Sequence, residues 1–160
     1  PTIADLQGLT GSLYAHEQYI VSIEGAQYLI NLQYLDLYSN YISDISPLAG
    51  LTNLWYLDLG YNQISNLSPL AGLTNLWYLD LKYNQISDIS PLAGLTNLQV
   101  LYLEYNQISN IYPLAELTNL QELYPVSYTH LRAHETVLEL VCRLLLDKKN
   151  PSAHNKQIVT

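Results

Sequence analysis

The chain has a single cysteine, Cys142, too few for a disulfide framework or a cysteine metal site. Basic residues are also scarce: six Lys and Arg stand against fourteen Asp and Glu, for a formal charge of −8. That balance argues against nucleic acid as a partner, because phosphates need clustered Lys and Arg. No apolar run is long enough to span a bilayer, so membrane insertion is not expected. There is no charged-then-apolar leader, and the first residue is Pro1 rather than Met, so the chain reads as a fragment or a mature piece. A glycine-rich phosphate loop and a Ser–His–Asp constellation are both missing, and residues 1–125 hold one His, His16. These absences predict a non-enzymatic chain with no cofactor and no small-molecule substrate.

The charges that are present divide the chain in two. Residues 1–125 carry eleven acidic groups and one base, Lys82. The other five bases, Cys142 and three of the four His lie beyond Pro125.

What fills the first part is repetition. Residues 51–72 read LTNLWYLDLGYNQISNLSPLAG and residues 73–94 read LTNLWYLDLKYNQISDISPLAG, differing only at Gly60/Lys82, Asn66/Asp88 and Leu67/Ile89. Flanking copies occupy 29–50 and 95–116, and a further copy opens at Leu117 and stops near Tyr124. Upstream, Leu13, Ile20 and Ile23 keep the register of a degraded first copy, with Ala15 and Gln18 in place of the usual Leu and Asn. Each copy holds L-x-x-L-x-L-x-x-N-x-I, the leucine-rich-repeat pattern. Leu57 and Leu59 alternate inward on a short strand, leaving Tyr56, Asp58 and Gly60 to face out. A buried Asn at each turn (Asn40, Asn62, Asn84, Asn106) can satisfy loop amides and carbonyls. Pro47, Pro69, Pro91 and Pro113 suit the first turn of a short helical segment, and Gly50, Gly72 and Gly94 its end. The predicted fold is an α/β solenoid, a horseshoe with a concave parallel sheet and short helical turns on the convex side.

Stacking the copies places like residues in columns. Tyr34, Tyr56 and Tyr78 form one, continued by Val100, with Trp55 and Trp77 just before it. Tyr61, Tyr83 and Tyr105 form another at the strand exits, and Asp36, Asp58 and Asp80 an acidic one that Tyr102 interrupts. Exposed aromatic anchors suit a protein-binding face. Stacked carboxylates repel and would welcome an opposite charge, from a basic partner or a bridging Ca²⁺. Passive copying of aromatics by duplication, and a merely solvated acidic stripe, explain the same columns.

The phrase LTNL…LDL…NQISDISPLAG resembles the repeat of bacterial internalin-like surface proteins, closely from Leu29 to Tyr124 and loosely from Leu6 to Tyr28. The resemblance implies a secreted or wall-attached protein, extracellular or on the cell surface, whose concave face binds a protein partner. An intracellular regulatory scaffold, or the repeat part of a larger enzyme, are the alternatives that similar repeats leave open.

From Pro125 the phrase stops. VSYTHLRAHET resembles, residue for residue, the translation of a sequencing-library adapter, and LVCRLLL at 140–146 resembles its continuation. The expected division is therefore 1–28 (degraded first repeat), 29–124 (repeats), 125–149 (adapter-derived tail) and 150–160 (disordered). If native, the tail offers His130 and His134 as a zinc pair, Cys142 as a nucleophile, and the spacing of one helix in Val137, Leu140, Val141, Leu144 and Leu145.

Overall fold

The structure, a computed structural model, describes residues 8–124. The expected tail helix, the His130/His134 pair, Cys142 and the divisions at 125–149 and 150–160 lie outside the described residues. Six strands form one parallel sheet in chain order: β1 (Gly11–Tyr14), β2 (Leu32–Asp36), β3 (Tyr56–Asp58), β4 (Tyr78–Asp80), β5 (Val100–Tyr102) and β6 (Glu122–Tyr124). Between them run five 3-10 helices, at Ala26–Tyr28, Ser46–Leu48, Ser68–Leu70, Ser90–Leu92 and Tyr112–Glu116. The result is the solenoid that the repeat predicts. Register is set by the repeat itself: Leu35, Leu57, Leu79 and Leu101 are successive partners, so each inward leucine stacks on its copy. The same positions supply one continuous core, in which Leu54, Leu57, Leu59, Ile64, Leu70 and their equivalents in 73–94 are completely buried, while Leu13 and Leu123 in the end coils are not. Burying a Leu or Ile of this kind contributes roughly 1.5–3 kcal/mol. No coil could bury its leucines alone, so stability is shared between neighbours.

Two asparagine ladders join the coils. In the inner one, the Asn62 carboxamide donates to the carbonyls of Leu37 at 3.0 Å, Leu59 at 3.1 Å and Gly60 at 3.2 Å. Its oxygen accepts from the Ile42 amide at 2.9 Å. Asn40, Asn84 and Asn106 repeat the pattern. In the first coil Gln18 does not extend the ladder; its amide donates to the Asn40 oxygen and its side chain to the His16 carbonyl. The outer ladder belongs to the "LTNL" segment: Asn53, Asn75, Asn97 and Asn119 each donate to a carbonyl of the preceding coil at 2.8–2.9 Å.

To turn a ladder asparagine inward, the chain bends through the left-handed region one residue earlier. Glu17, Ser39, Tyr61, Tyr83 and Tyr105 all have φ between 53° and 56°. A further polar device opens the last four 3-10 helices: Asp44, Asn66, Asp88 and Asn110 accept the amide two residues on. The glycine at the far end plays no comparable part. The helices close at Ala49, Ala71 and Ala93 in right-handed geometry, and Gly50, Gly72 and Gly94 have neither positive φ nor a crowded Cβ position. Glu116 stands at the same place in the fourth copy.

Asn62→Ala should leave the buried Ile42 amide without its partner and take one of two donors from each of the Leu37, Leu59 and Gly60 carbonyls. We expect a loss of about 2–4 kcal/mol in urea unfolding, whereas Gly72→Ala should change stability by less than about 1 kcal/mol.

Candidate partner-binding face

On the concave face the tyrosine column predicted from sequence is a stack of rings. Tyr34 and Tyr56 lie 4.0 Å apart at 9°, and Tyr56 and Tyr78 lie 4.2 Å apart at 6°. Strand spacing and repeat register together set this separation, since Tyr34, Tyr56 and Tyr78 are direct cross-strand partners. The stack does not end with the column. Tyr14 meets Tyr34 at 4.9 Å, Tyr78 meets Tyr102 at 5.8 Å, and Tyr102 stacks on Tyr124 at 4.4 Å and 4°. Six tyrosines, one per strand, thus cross the whole sheet. Tyr14, Tyr102 and Tyr124 sit two residues along their strands, in the aspartate register, and reach the column diagonally. The column reading missed them because it compared like positions only; their signal was the aromatic at the aspartate position.

Trp55 and Trp77 flank the ladder with ring centroids 6.3 Å apart, and each remains about two-fifths exposed, at 42% and 39%. Trp55 meets Tyr34 and Tyr56 edge to face, both at 6.1 Å. At the strand exits Tyr61, Tyr83 and Tyr105 form the second stack, at 4.1 and 4.0 Å. Tyr38 meets Tyr61 edge to face at 5.2 Å and so joins this second stack to the middle of the sheet.

The acidic column behaves differently from a solvated stripe. Asp36, Asp58 and Asp80 each accept the amide two residues on, from Tyr38, Gly60 and Lys82. Asp80 is wholly buried, and its second oxygen takes the Lys82 ammonium at 2.7 Å. Lys82 in turn lies 5.5 Å from the Tyr38 ring centre and 5.4 Å from that of Tyr102. For Asp80, the opposite charge is therefore supplied within the chain. Burial pulls the Lys82 ammonium down, but the hydrogen bond and charge of Asp80 outweigh it, and its pKa is raised overall. Gly60 lies on the same side as this column but is covered by it: a Cβ there would stand 3.1 Å from an Asp80 oxygen and 3.3 Å from one of Asp58. At the sheet's other side, His16 Nδ1 lies 3.0 Å from Asp36 Oδ2.

Asp58 has no cation of its own. Burial raises its pKa to about 6, the Gly60 amide opposes this, and the charges of Asp80 and Asp36 add to it. Burial also lifts Glu104 above the usual carboxylate range, and the hydroxyls of Tyr56 and Tyr78 well above the tyrosine range. Among the described residues, no three His, Cys, Asp or Glu side chains converge as a metal site would require.

These coils and this face define a leucine-rich-repeat solenoid of the protein-interaction class. The chain belongs to the leucine-rich-repeat family: the profile for leucine rich repeats (2 copies) matches residues 30–72, 52–94, 74–116 and 96–131. It is similar to an internalin (inlF) from Listeria monocytogenes, with 41% identity and a TM-score of 0.71 over 77% of this chain and 36% of that one. This chain thus spans little more than a third of that relative. The functional domain of InlJ from the same organism shares the fold at 23% identity and a TM-score of 0.52, again over 77% of this chain and 36% of that one. An internalin C2 (inlC2), also from Listeria monocytogenes, is 36% identical over 84% of this chain and 80% of that one, with a TM-score of 0.45. Comparison with curated proteins gives no match.

Two substitutions test the electrostatics. Lys82→Met leaves a buried carboxylate without its cation and should cost about 2–4 kcal/mol at neutral pH. For Asp58, the unfolded carboxyl ionises near 3.8 and the folded one near 6, so the folded state holds its proton longer. Its contribution to stability is full below pH 4 and is lost as pH rises through 6. Glu104 acts in the same direction, whereas the lowered pKa values of Asp44 and Asp88 act below 3.8. Thermal unfolding should therefore show Tm falling between pH 4 and pH 7, with a clearly smaller fall in Asp58→Asn.

Proposed function

We propose that this chain is the recognition part of an extracellular or cell-surface protein and binds a partner protein on its concave face. The observation that carries this reading is the ring ladder across all six strands, flanked by two tryptophans whose rings remain open to solvent. Large rigid rings lose little rotational freedom on binding, and Trp and Tyr dominate measured interface energies. Trp55, Trp77, Tyr34, Tyr56 and Tyr78 are the anchors, and Tyr61, Tyr83 and Tyr105 border them at the strand exits. Asp36 and Asp58 set the charge, while Asp80 acts through Lys82 because it is buried. A single base among eleven acidic groups in residues 1–125 favours a partner with a basic surface.

The surface assignment draws on the likeness to internalins. No helix among the described residues is long and apolar enough to cross a membrane. In a binding screen against secreted and receptor ectodomains, a partner retained by the wild-type chain should be lost by the Trp55→Ala, Trp77→Ala double variant. The expected loss is at least about a hundredfold, with circular dichroism unchanged. Equal retention would move the interface elsewhere.

A further inference from the structure

A cleft of about 460 Å³ opens beside the strand exits of the first coils, away from the ring ladder. Two tyrosine pairs line it: Tyr61 and Tyr83, stacked at 4.1 Å, and Tyr19 and Tyr41, at 6.2 Å and 27°. All four rings are exposed. Glu17 and Ser39 complete its lining where the next two rings of the Tyr61–Tyr83–Tyr105 stack would otherwise stand, because they occupy the equivalent turn position in the preceding coils. The fold alone does not call for aromatic residues here. Tyr19, Tyr61 and Tyr83 have φ of 59°, 56° and 53°, a region that bulky residues enter at a cost and that Asn or Gly would fill more easily. Strained aromatic residues gathered around one cleft are what a binding site retains.

The cleft's chemistry selects among ligands. The ladder asparagines beneath it already donate to backbone carbonyls, so besides Glu17 its remaining polar groups are the Gln63 carboxamide and the Ser39 and tyrosine hydroxyls, all uncharged. Glu17 is exposed, and its carboxylate has no hydrogen bond or ion pair among the described residues. The only Lys or Arg in residues 8–124 is Lys82, which is committed to Asp80. Tyrosine rings with one carboxylate and no competing cation attract a large, weakly hydrated positive ion. We infer that this cleft binds a quaternary ammonium group, with the rings of Tyr19 and Tyr41 and the face of Tyr61 not covered by Tyr83 around the cation, and Glu17 neutralising it. Such a group is carried by choline-type compounds, whereas a lysine ammonium is compact and strongly hydrated and fits these rings less well. The cleft shares Tyr61 and Tyr83 with the border of the concave face, but the inference does not depend on the concave-face reading.

The test is NMR of the full chain with labelled tyrosine rings, titrated separately with choline, with Nα-acetyl-lysine amide and with 3,3-dimethylbutanol, the uncharged analogue of choline. Choline should give saturable shifts at Tyr19, Tyr41 and Tyr61, and the uncharged analogue none. Glu17→Gln, an exposed change, should weaken that binding about tenfold, and Tyr41→Leu should weaken it without loss of circular dichroism. Tighter binding of the lysine amide than of choline, equal shifts from the uncharged analogue, no saturable shift with choline, or unchanged affinity in both variants would overturn the inference.

Discussion

Everything on the surface of this solenoid depends on a buried carboxamide repeated once per coil. Each inner-ladder asparagine donates to its own coil and to the one before, and accepts from the backbone of that preceding coil. Leucine burial drives the coils together but is tolerant of small slips, because dispersion contacts are not directional. The carboxamide is directional, and it admits one offset. It therefore fixes the strand exits, and through them the separation at which face residues of successive coils meet. Rings 4.0–4.2 Å apart on β2, β3 and β4 are the visible result.

The chain bends through positive φ just before each ladder asparagine, and before Gln18 in the first coil, whatever residue stands there. Scaffold and surface meet at that position. The backbone requires the turn, and the side chain is left free to vary: glutamate, serine and three tyrosines occupy it in succession. Along the sheet, the outward positions show the same division of labour. Copies that agree at every core leucine differ at Gly60 and Lys82, and that pair decides how the acidic column is arranged. The small residue leaves room for two carboxylates, and the long one reaches back to one of them, Asp80.

Most of the architecture was legible in the sequence because one phrase recurs at a fixed period. Identical phrases must adopt identical coils, so strand order, register, core leucines and the inner asparagines followed from alignment of the copies. The ring columns followed for the same reason. What remained hidden depends on differences between copies or on contacts between unlike positions. Tyr14, Tyr102 and Tyr124 join the ladder along a diagonal that comparing equivalent positions does not test. Burial of Asp80 depends on Lys82 lying between Tyr38 and Tyr102, a long-range arrangement with no local signature. The outer ladder was overlooked because "LTNL" reads first as leucine spacing. The glycines after each 3-10 helix looked like caps from composition, yet the backbone there asks nothing of them.

The near identity of residues 51–72 and 73–94 has a consequence for how such a molecule can change. Two such similar copies are prone to unequal exchange, which adds or removes one whole coil. Because the core faces of the copies are interchangeable, the altered chain would still close its interior. The outer surface would not be neutral to the same event: it would grow or shrink by one tyrosine rung and one tryptophan, and the ratio of glycine to lysine coils would shift with it. Binding reach would thus vary in fixed steps, while the interior needs no adjustment to follow.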